Sequence, residues 1–290
     1  MASTTPTPTT SENATLGSTP VNPNKALWEK GDFTKIADCM RDSGDALVSS
    51  LAITRGMAVL DLGSGDGTTA LPAAQRGAHV LGVDIARNLV AAGNRRAEEH
   101  GLANLAFEEG DASNLRGLKD ASFDLVVSVF GAMFAPRPSD VAKEMVRVTK
   151  SGGRIVMGNW IPNDPTLVAQ ILRISASYSP PPPDGFVSPM MWGVEQHVVE
   201  RFGAAGIAQS QITFARDTWV FQSSDSPSAF LGLFRNFYGP TMNAFDAAEK
   251  SGRANELLAE LDALFSRQNT AGSTASTSIP ATFLRVTVAV

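Results

Sequence analysis

The chain has one cysteine in 290 residues, Cys39, so an intramolecular disulfide and a thiolate-rich metal site are excluded. A lone cysteine in a helix-like stretch reads as inert packing, and no metal is expected. Basic charge is not in excess: 24 Lys and Arg against 29 Asp and Glu give a formal net charge of -5. That balance supplies no broad attraction for phosphate backbones or anionic lipid, which argues against a nucleic-acid partner. A run of about 18 consecutive apolar residues is also missing, so no membrane-spanning helix is expected. Residues 1–24, rich in Thr, Pro and Ser, lack the basic start and apolar segment of a secretory signal. They read as a flexible tail, and a cytoplasmic protein is the simplest account. The triplet Asn13, Ala14, Thr15 matches a glycosylation acceptor, but without an export signal the match means little.

What is present is ordinary globular material. A hydrophobic share of 43% against a charged share of 18% suffices to bury a core in one large domain or two small ones. Order is expected from Lys25, giving a domain over 25–290. Asp32 is placed to cap a helix whose apolar positions Ile36, Met40, Leu47 and Leu51 repeat at helical spacing, with Gly56 beyond its end. Apolar runs then recur at 58–62, 79–83, 105–107, 123–130 and 154–157, separated by helix-like or longer segments. Repeated strand, helix, strand order predicts a parallel sheet with helices on both faces. The run "FDLVVSVF" suits a central strand buried on both sides. Past Trp160 the rhythm changes, and two insertions, about 161–193 and 226–280, are expected to build a helical cap. The first carries a helix with Leu167, Val168, Ile171 and Leu172 on one side, then "SPPPPDGFVSP", which must run extended. The second carries a helix with Phe230, Leu231, Phe234, Phe237 and Tyr238, closed by Gly239 and Pro240, then another with Leu257, Leu261 and Leu264. "ATFLRVTVAV" reads as a terminal strand, and no internal repeat is visible.

Chemistry gathers in "MAVLDLGSGDGTTA", residues 57–70. A strand that falls into a glycine-rich turn holds a nucleotide-like cofactor, and the register decides which. Counting from Gly63, the sixth position is Thr68 where the dinucleotide pattern GxGxxG needs glycine. A P-loop needs a lysine followed by Ser or Thr, and none is here. The pattern that remains is DxGxGxG, formed by Asp61, Gly63, Gly65 and Gly67. It resembles motif I of the class I S-adenosylmethionine-dependent methyltransferases. The likeness covers about 25–160 and continues in family order through "VLGVDIARN", "EEGDASNL", "FDLVVSVFGAMF" and "VTKSGGRIVMGNW".

That resemblance implies a Rossmann-like, seven-stranded, mostly parallel sheet and S-adenosyl-L-methionine as cofactor. It also implies site residues. Asp84, with Ile85 beside it, would accept hydrogen bonds from the ribose hydroxyls. Asp111 would take the adenine amino group and the Ala112 backbone NH a ring nitrogen. Ser128 and Phe130 would lie against the cofactor after the fourth strand. Asp61 either orients the loop or reaches the cofactor's amino group, and Asp111 alone also reads as a helix cap. Asp32 caps or touches the cofactor, while Trp28 and Phe33 either pack or close over it.

The residues just past the fourth strand narrow the acceptor. Ser128, Val129, Phe130 and Gly131 stand where amino-methylating enzymes resemble one another in Asn-Pro-Pro-Tyr. Cys39 lies far from the cysteine of cytosine C5 enzymes, one cysteine is too few for arsenic methylation, and the acidic cluster of magnesium-dependent catechol-type enzymes is missing. What remains resembles the ubiquinone and menaquinone biosynthesis-type branch, whose acceptors are small and often aromatic or lipophilic. Met133 and Phe134 are the pocket residues expected near the transferring methyl. His197 is the histidine to examine as a catalytic group, against a solvent-facing place on an amphipathic helix. The aromatic helix around Phe230 either roofs the acceptor or is core. A nicotinamide-dependent oxidoreductase and a non-catalytic cofactor-binding protein are the alternatives, and the oligomeric state is open.

Overall fold

The computed structural model describes Asn22 and residues 24–290. Positions 1–21 and 23 of the expected tail, the Asn13 triplet included, lie outside the described residues. Asn22 and Asn24 depart from the tail reading: Asn22 is 8% exposed and Asn24 opens a helix.

Seven strands are formed among the described residues: β1 (Ala58–Leu62), β2 (His79–Asp84), β3 (Leu105–Glu109), β4 (Phe123–Val129), β5 (Thr149–Trp160), β6 (Ile212–Ser223) and β7 (Thr277–Ala289). They lie in one sheet in the order β3-β2-β1-β4-β5-β7-β6. Pairing is parallel from β3 to β5, and β7 runs antiparallel to both its neighbours. The pleat divides the sheet's apolar residues between two cores. Leu60, Leu62, Val126, Ile155 and Met157 enter one, and Val59, Leu125, Val127 and Val156 the other. Burial on both faces explains why these strands read as unbroken apolar runs.

The strand missing from the apolar pattern is β6. Its sequence ITFARDTWVFQS mixes Arg and Asp with aromatics because it is an edge strand whose exposed and buried positions alternate. β7 starts at Thr277, so the second insertion ends before 277 rather than at 280. Pro280 is tolerated in β7 because the pairing with β5 stops at Phe283, which leaves its missing N–H without consequence.

The helices are α1 (Asn24–Lys30), α2 (Thr34–Ala37), α3 (Arg41–Ser50), α4 (Ala70–Gln75), α5 (Arg87–Glu99), α6 (Pro138–Val148), α7 (Leu167–Tyr178), α8 (Glu195–Gly203), α9 (Pro227–Phe237), α10 (Gly239–Lys250) and α11 (Ala254–Gln268). The single helix expected after Asp32 is instead α2, a 3₁₀ turn at Asp38–Met40, and α3. Asp32 does act as a cap, its Oδ1 accepting from the Thr34 N–H at 3.2 Å and hydroxyl at 2.6 Å. Gly239 and Pro240, expected to close α9, open α10 after a break at Tyr238. A proline in the first turn of a helix gives up a hydrogen bond that the helix would not have made. α7 packs on α10 and α11, and α9 packs on the same two helices, so the two insertions meet in one helical layer. Phe230 and Phe234 are buried against Phe221 and Phe265, which makes the aromatic stripe of α9 core.

Candidate active site

At the carboxyl ends of β1, β2 and β4 the backbone draws together around a cleft enclosing about 930 Å³, its open mouth included. Ligands of open α/β sheets bind at this edge. The glycine turn after β1 forms its base. Gly63 N donates to the Val83 carbonyl at 2.7 Å, and Gly65 N to Asp84 Oδ2 at 2.8 Å, so the ends of β1 and β2 are tied through the loop. Gly65 has φ +56° and a Cβ placed there would meet nothing within 4 Å, so its bare backbone faces the open cleft. Gly63 is held for a different reason: it lies against Gly131, where a Cβ would come within 2.2 Å of the Gly63 carbonyl oxygen. Contact between the β1 and β4 turns is possible only without side chains there.

Asp84 lines the cleft, buried, with Oδ1 accepting from Ala86 N at 2.9 Å. Burial raises its carboxyl above the ordinary range, and the backbone N–H groups of Ala86, Gly65 and Ile85 oppose that rise. Ile85 and Ala112 also line the cleft. Asp61 does not. It lies under the loop, 1% exposed, accepting from the Thr69 hydroxyl, so of its two expected roles the structure places it in loop orientation. Burial pushes the Asp61 carboxyl up to about 7, with the Asp84 charge adding to the rise.

Asp111 is not among the lining residues, whereas Gly110 and Ala112 on either side of it are. Its Oδ1 accepts from the Ser113 N–H at 2.8 Å and hydroxyl at 2.6 Å, the turn-capping role weighed for it, and its Oδ2 accepts from Asn22 Nδ2 at 3.2 Å. Ser128 is a correction: it sits behind the cleft, 1% exposed, donating to the Leu62 carbonyl at 2.6 Å and accepting from Ala132 N at 3.0 Å. Met133 is a second. The 3₁₀ turn Ala132–Phe134 sends Met133 into the core, 1% exposed, and leaves Ala132 and Phe134 on the cleft. His197 is a third: it lies on α8 away from the cleft, half-exposed, with Nδ1 3.1 Å from Glu200 Oε2, which is the solvent-facing place on an amphipathic helix.

Several site residues were not evident from the sequence. Asp66, between two of the glycines, is 1% exposed and takes both guanidinium nitrogens of Arg41, at 2.9 and 2.5 Å. Arg41 also reaches the Thr68 hydroxyl at 2.5 Å, which braces the far side of the loop. Asn24 Nδ2 donates to the Phe134 carbonyl and Lys25 pairs with Glu109, so α1 is fastened beside the cleft and brings Trp28 into its wall.

The remaining wall is aromatic. Phe130 has φ +59°, a costly conformation for a bulky residue, while its N–H still donates to Gly158 at 2.9 Å. The turn lays its ring on Trp160 at 3.6 Å and 9°, with Trp219 edge-on at 5.1 Å and 86°. A second aromatic group also lines the cleft: Trp28 meets Phe33 at 5.8 Å and Phe134 at 5.0 Å. Among the described residues that line the cleft, the ionisable side chains are Asp66 and Asp84.

A family model described as a methyltransferase domain matches residues 60–157. An uncharacterised protein of Mycobacterium tuberculosis is 34% identical over 258 residues, 89% of either chain. A demethylmenaquinone methyltransferase of Paenarthrobacter aurescens is 35% identical over 114 residues, 39% of this chain and 43% of that one. Among solved structures, the YcgJ protein of Bacillus subtilis shares the fold, with a TM-score of 0.55 and 19% identity over 85% of this chain and 97% of that one. The nicotinamide-dependent and non-catalytic readings gain no support from these matches.

Proposed function

The chain belongs to the class I S-adenosylmethionine-dependent methyltransferases, and from that premise we propose that it methylates a small apolar or aromatic molecule held against Phe130 and Phe134. One observation carries the reading: a single cleft joins a glycine turn and a buried strand-end carboxylate to aromatic walls. The residues fit the cofactor. The bare backbone at Gly65 gives a nucleoside or amino-acid group close approach, and Asp84 keeps lone pairs for hydroxyl donors beyond its two backbone bonds. Gly63, Gly65, Asp84, Ile85, Ala112 and Phe130 are assigned to hold it, with Asp61 supporting the loop and Asp111 the turn before Ala112; Gly67, outside the cleft lining, instead lets the loop close on Phe107, where a Cβ would come within 2.7 Å of the ring.

When bound, S-adenosylmethionine supplies a methyl carbon activated by the adjoining sulfonium. The protein's part is geometric. Phe130, fixed by its stack on Trp160, and Phe134, fixed by Trp28, hold the acceptor in line, where alignment alone lowers the barrier. The aromatic lining excludes water that would compete for the methyl. The relative from Paenarthrobacter aurescens is named for a quinone acceptor, demethylmenaquinone, which agrees with a planar acceptor here. The test is calorimetry with S-adenosylhomocysteine. Binding is expected, weakened about 10- to 100-fold in Asp84→Ala by the loss of charged hydrogen bonds. No binding by the unaltered protein, or equal binding by the variant, would overturn the assignment.

A further inference from the structure

Two asparagines that precede the stretch covered by the family pattern, Asn22 and Asn24, line the cleft. Asn22 is largely buried, and both ends of its carboxamide are engaged. Its Oδ1 accepts from Asn24 N at 3.0 Å, and its Nδ2 donates to Asp111 Oδ2 at 3.2 Å. A backbone N–H only donates and a carboxylate only accepts, so these two partners fix which way round the carboxamide stands. Asp111 is occupied in other ways. Its Oδ1 takes the Ser113 N–H and hydroxyl, and its Oδ2 takes Asn22, with the Arg137 guanidinium 3.8 Å away. Gly110 and Ala112 on either side of Asp111 line the cleft, and Asp111 does not. Asn22 thus reaches the cleft where the strand-end carboxylate fails to.

We infer that Asn22, in place of Asp111, reads the adenine of the cofactor, its Oδ1 accepting from the 6-amino group and its Nδ2 donating to N7. The inference rests on the cofactor reading and changes which residue makes that site specific for adenine. A carboxamide oxygen has two lone pairs and its nitrogen two hydrogens, so one of each remains after the bonds to Asn24 and Asp111. An acceptor beside a donor is the pattern by which asparagine pairs with the amino group and N7 of adenine. A purine without the 6-amino group leaves Oδ1 facing it unpaired, and a site built to bond that group rejects the analogue that lacks it. Asp111 is then a positioning residue that holds the carboxamide, and the Ala112 N–H is left for another ring nitrogen.

The experiment is calorimetry on the full chain with two ligands, S-adenosylhomocysteine and its 6-deamino analogue, which keeps N1 and N7 and lacks only the amino group. The unaltered protein is expected to bind S-adenosylhomocysteine at least about tenfold more tightly than the analogue. In Asn22→Ala that preference should fall to within about twofold, because the adenine amino group has lost its acceptor. The ratio is the readout: both ligands meet the same protein, so a variant that is partly unfolded weakens both alike and leaves the ratio where it was. Equal binding of the two ligands by the unaltered protein, which needs no variant, would overturn the inference. So would a preference retained in Asn22→Ala, where Asp111 remains and is uncovered, since Asp111 would then be the reader. Failure of S-adenosylhomocysteine itself to bind the unaltered protein would instead remove the cofactor reading beneath it.

Discussion

At the scale of single residues, the site is set by two unfavourable placements and a close approach. Asp61 is the first: a buried carboxyl with Oδ1 unpartnered, pushed from 3.8 to about 7. Between those values the unfolded chain releases the proton that the folded protein keeps, so this group lowers stability as pH rises from about 4 to about 7, and the loss is complete above that. Urea unfolding of the unaltered protein and Asp61→Asn at pH 5 and pH 8 reads it out. The difference between them should move against the unaltered protein by on the order of 2 kcal/mol at the higher pH. A constant difference would show that Asp61 is ionised throughout. Phe130 is the second placement, a bulky side chain at φ +59°. The close approach is that of Gly63 to Gly131, which separates two kinds of glycine role. Gly131→Ala drives a Cβ to 2.2 Å from a carbonyl oxygen and should cost about 3 kcal/mol of stability as well as the cofactor. Gly65→Ala points into open space, costs about 1–2 kcal/mol for its positive φ, and should abolish S-adenosylhomocysteine binding with the fold retained. Thermal melts with and without S-adenosylhomocysteine distinguish them, and the same loss of stability in both variants would refute the distinction.

At the scale of elements, the question is what holds β6, the strand that carries Trp219, at the edge of the sheet. β7 pairs with one side; on the other, Ser43 of α3 accepts from Val220 N at 2.9 Å and donates to the Val220 carbonyl at 3.1 Å. A single hydroxyl thus covers both outward backbone groups at that point, which also blunts an edge open to foreign strands. Ser43→Ala should lower stability by about 1–2 kcal/mol, measured by denaturant midpoint at unchanged slope. A change below about 0.5 kcal/mol would mean that water replaces the hydroxyl. The same elements show what was legible in the sequence. β1, β2 and β4 announce themselves because burial on both faces leaves only apolar side chains, and the loop after β1 because its glycines and Asp84 form a local pattern. β6 hides because polar residues interrupt both of its faces, with Arg216 and Thr218 on one and Asp217 on the other, so no apolar run or clean alternation shows in the sequence. Asp66, Trp219 and Asn22 were unreadable because their roles depend on Arg41, Phe130 and Asp111, partners from distant segments. His197 misled because its place after an insertion says nothing of the direction α8 turns it, and Met133 because a 3₁₀ turn sends neighbouring residues to opposite sides.

At the scale of the whole molecule, the cleft is assembled from both ends of the chain. α1 has no buried residue, and its ties to the rest include ion pairs such as Lys30 to Asp246 at 2.5 Å and Arg87 to Glu29 at 3.0 Å. Exposed pairs of this kind add little to stability, yet α1 supplies the Trp28 wall. Removing residues 1–30 should therefore lower the melting temperature by no more than about 4 °C while speeding S-adenosylhomocysteine release about tenfold, followed by stopped-flow. An unchanged release rate would assign α1 no part in retaining the ligand. The far end contributes through the strand order. β7, translated last of the seven strands, lies between β5 and β6, so on a ribosome β6 waits without its sheet partner until residues 277–289 have emerged. The glycine loop, Asp84 and Phe130 are all synthesised before then, but Trp219 is not held in its final strand pairing. Vectorial synthesis thus delivers the glycine loop and Asp84 first, and the wall that carries Trp219 closes only when β7 is inserted.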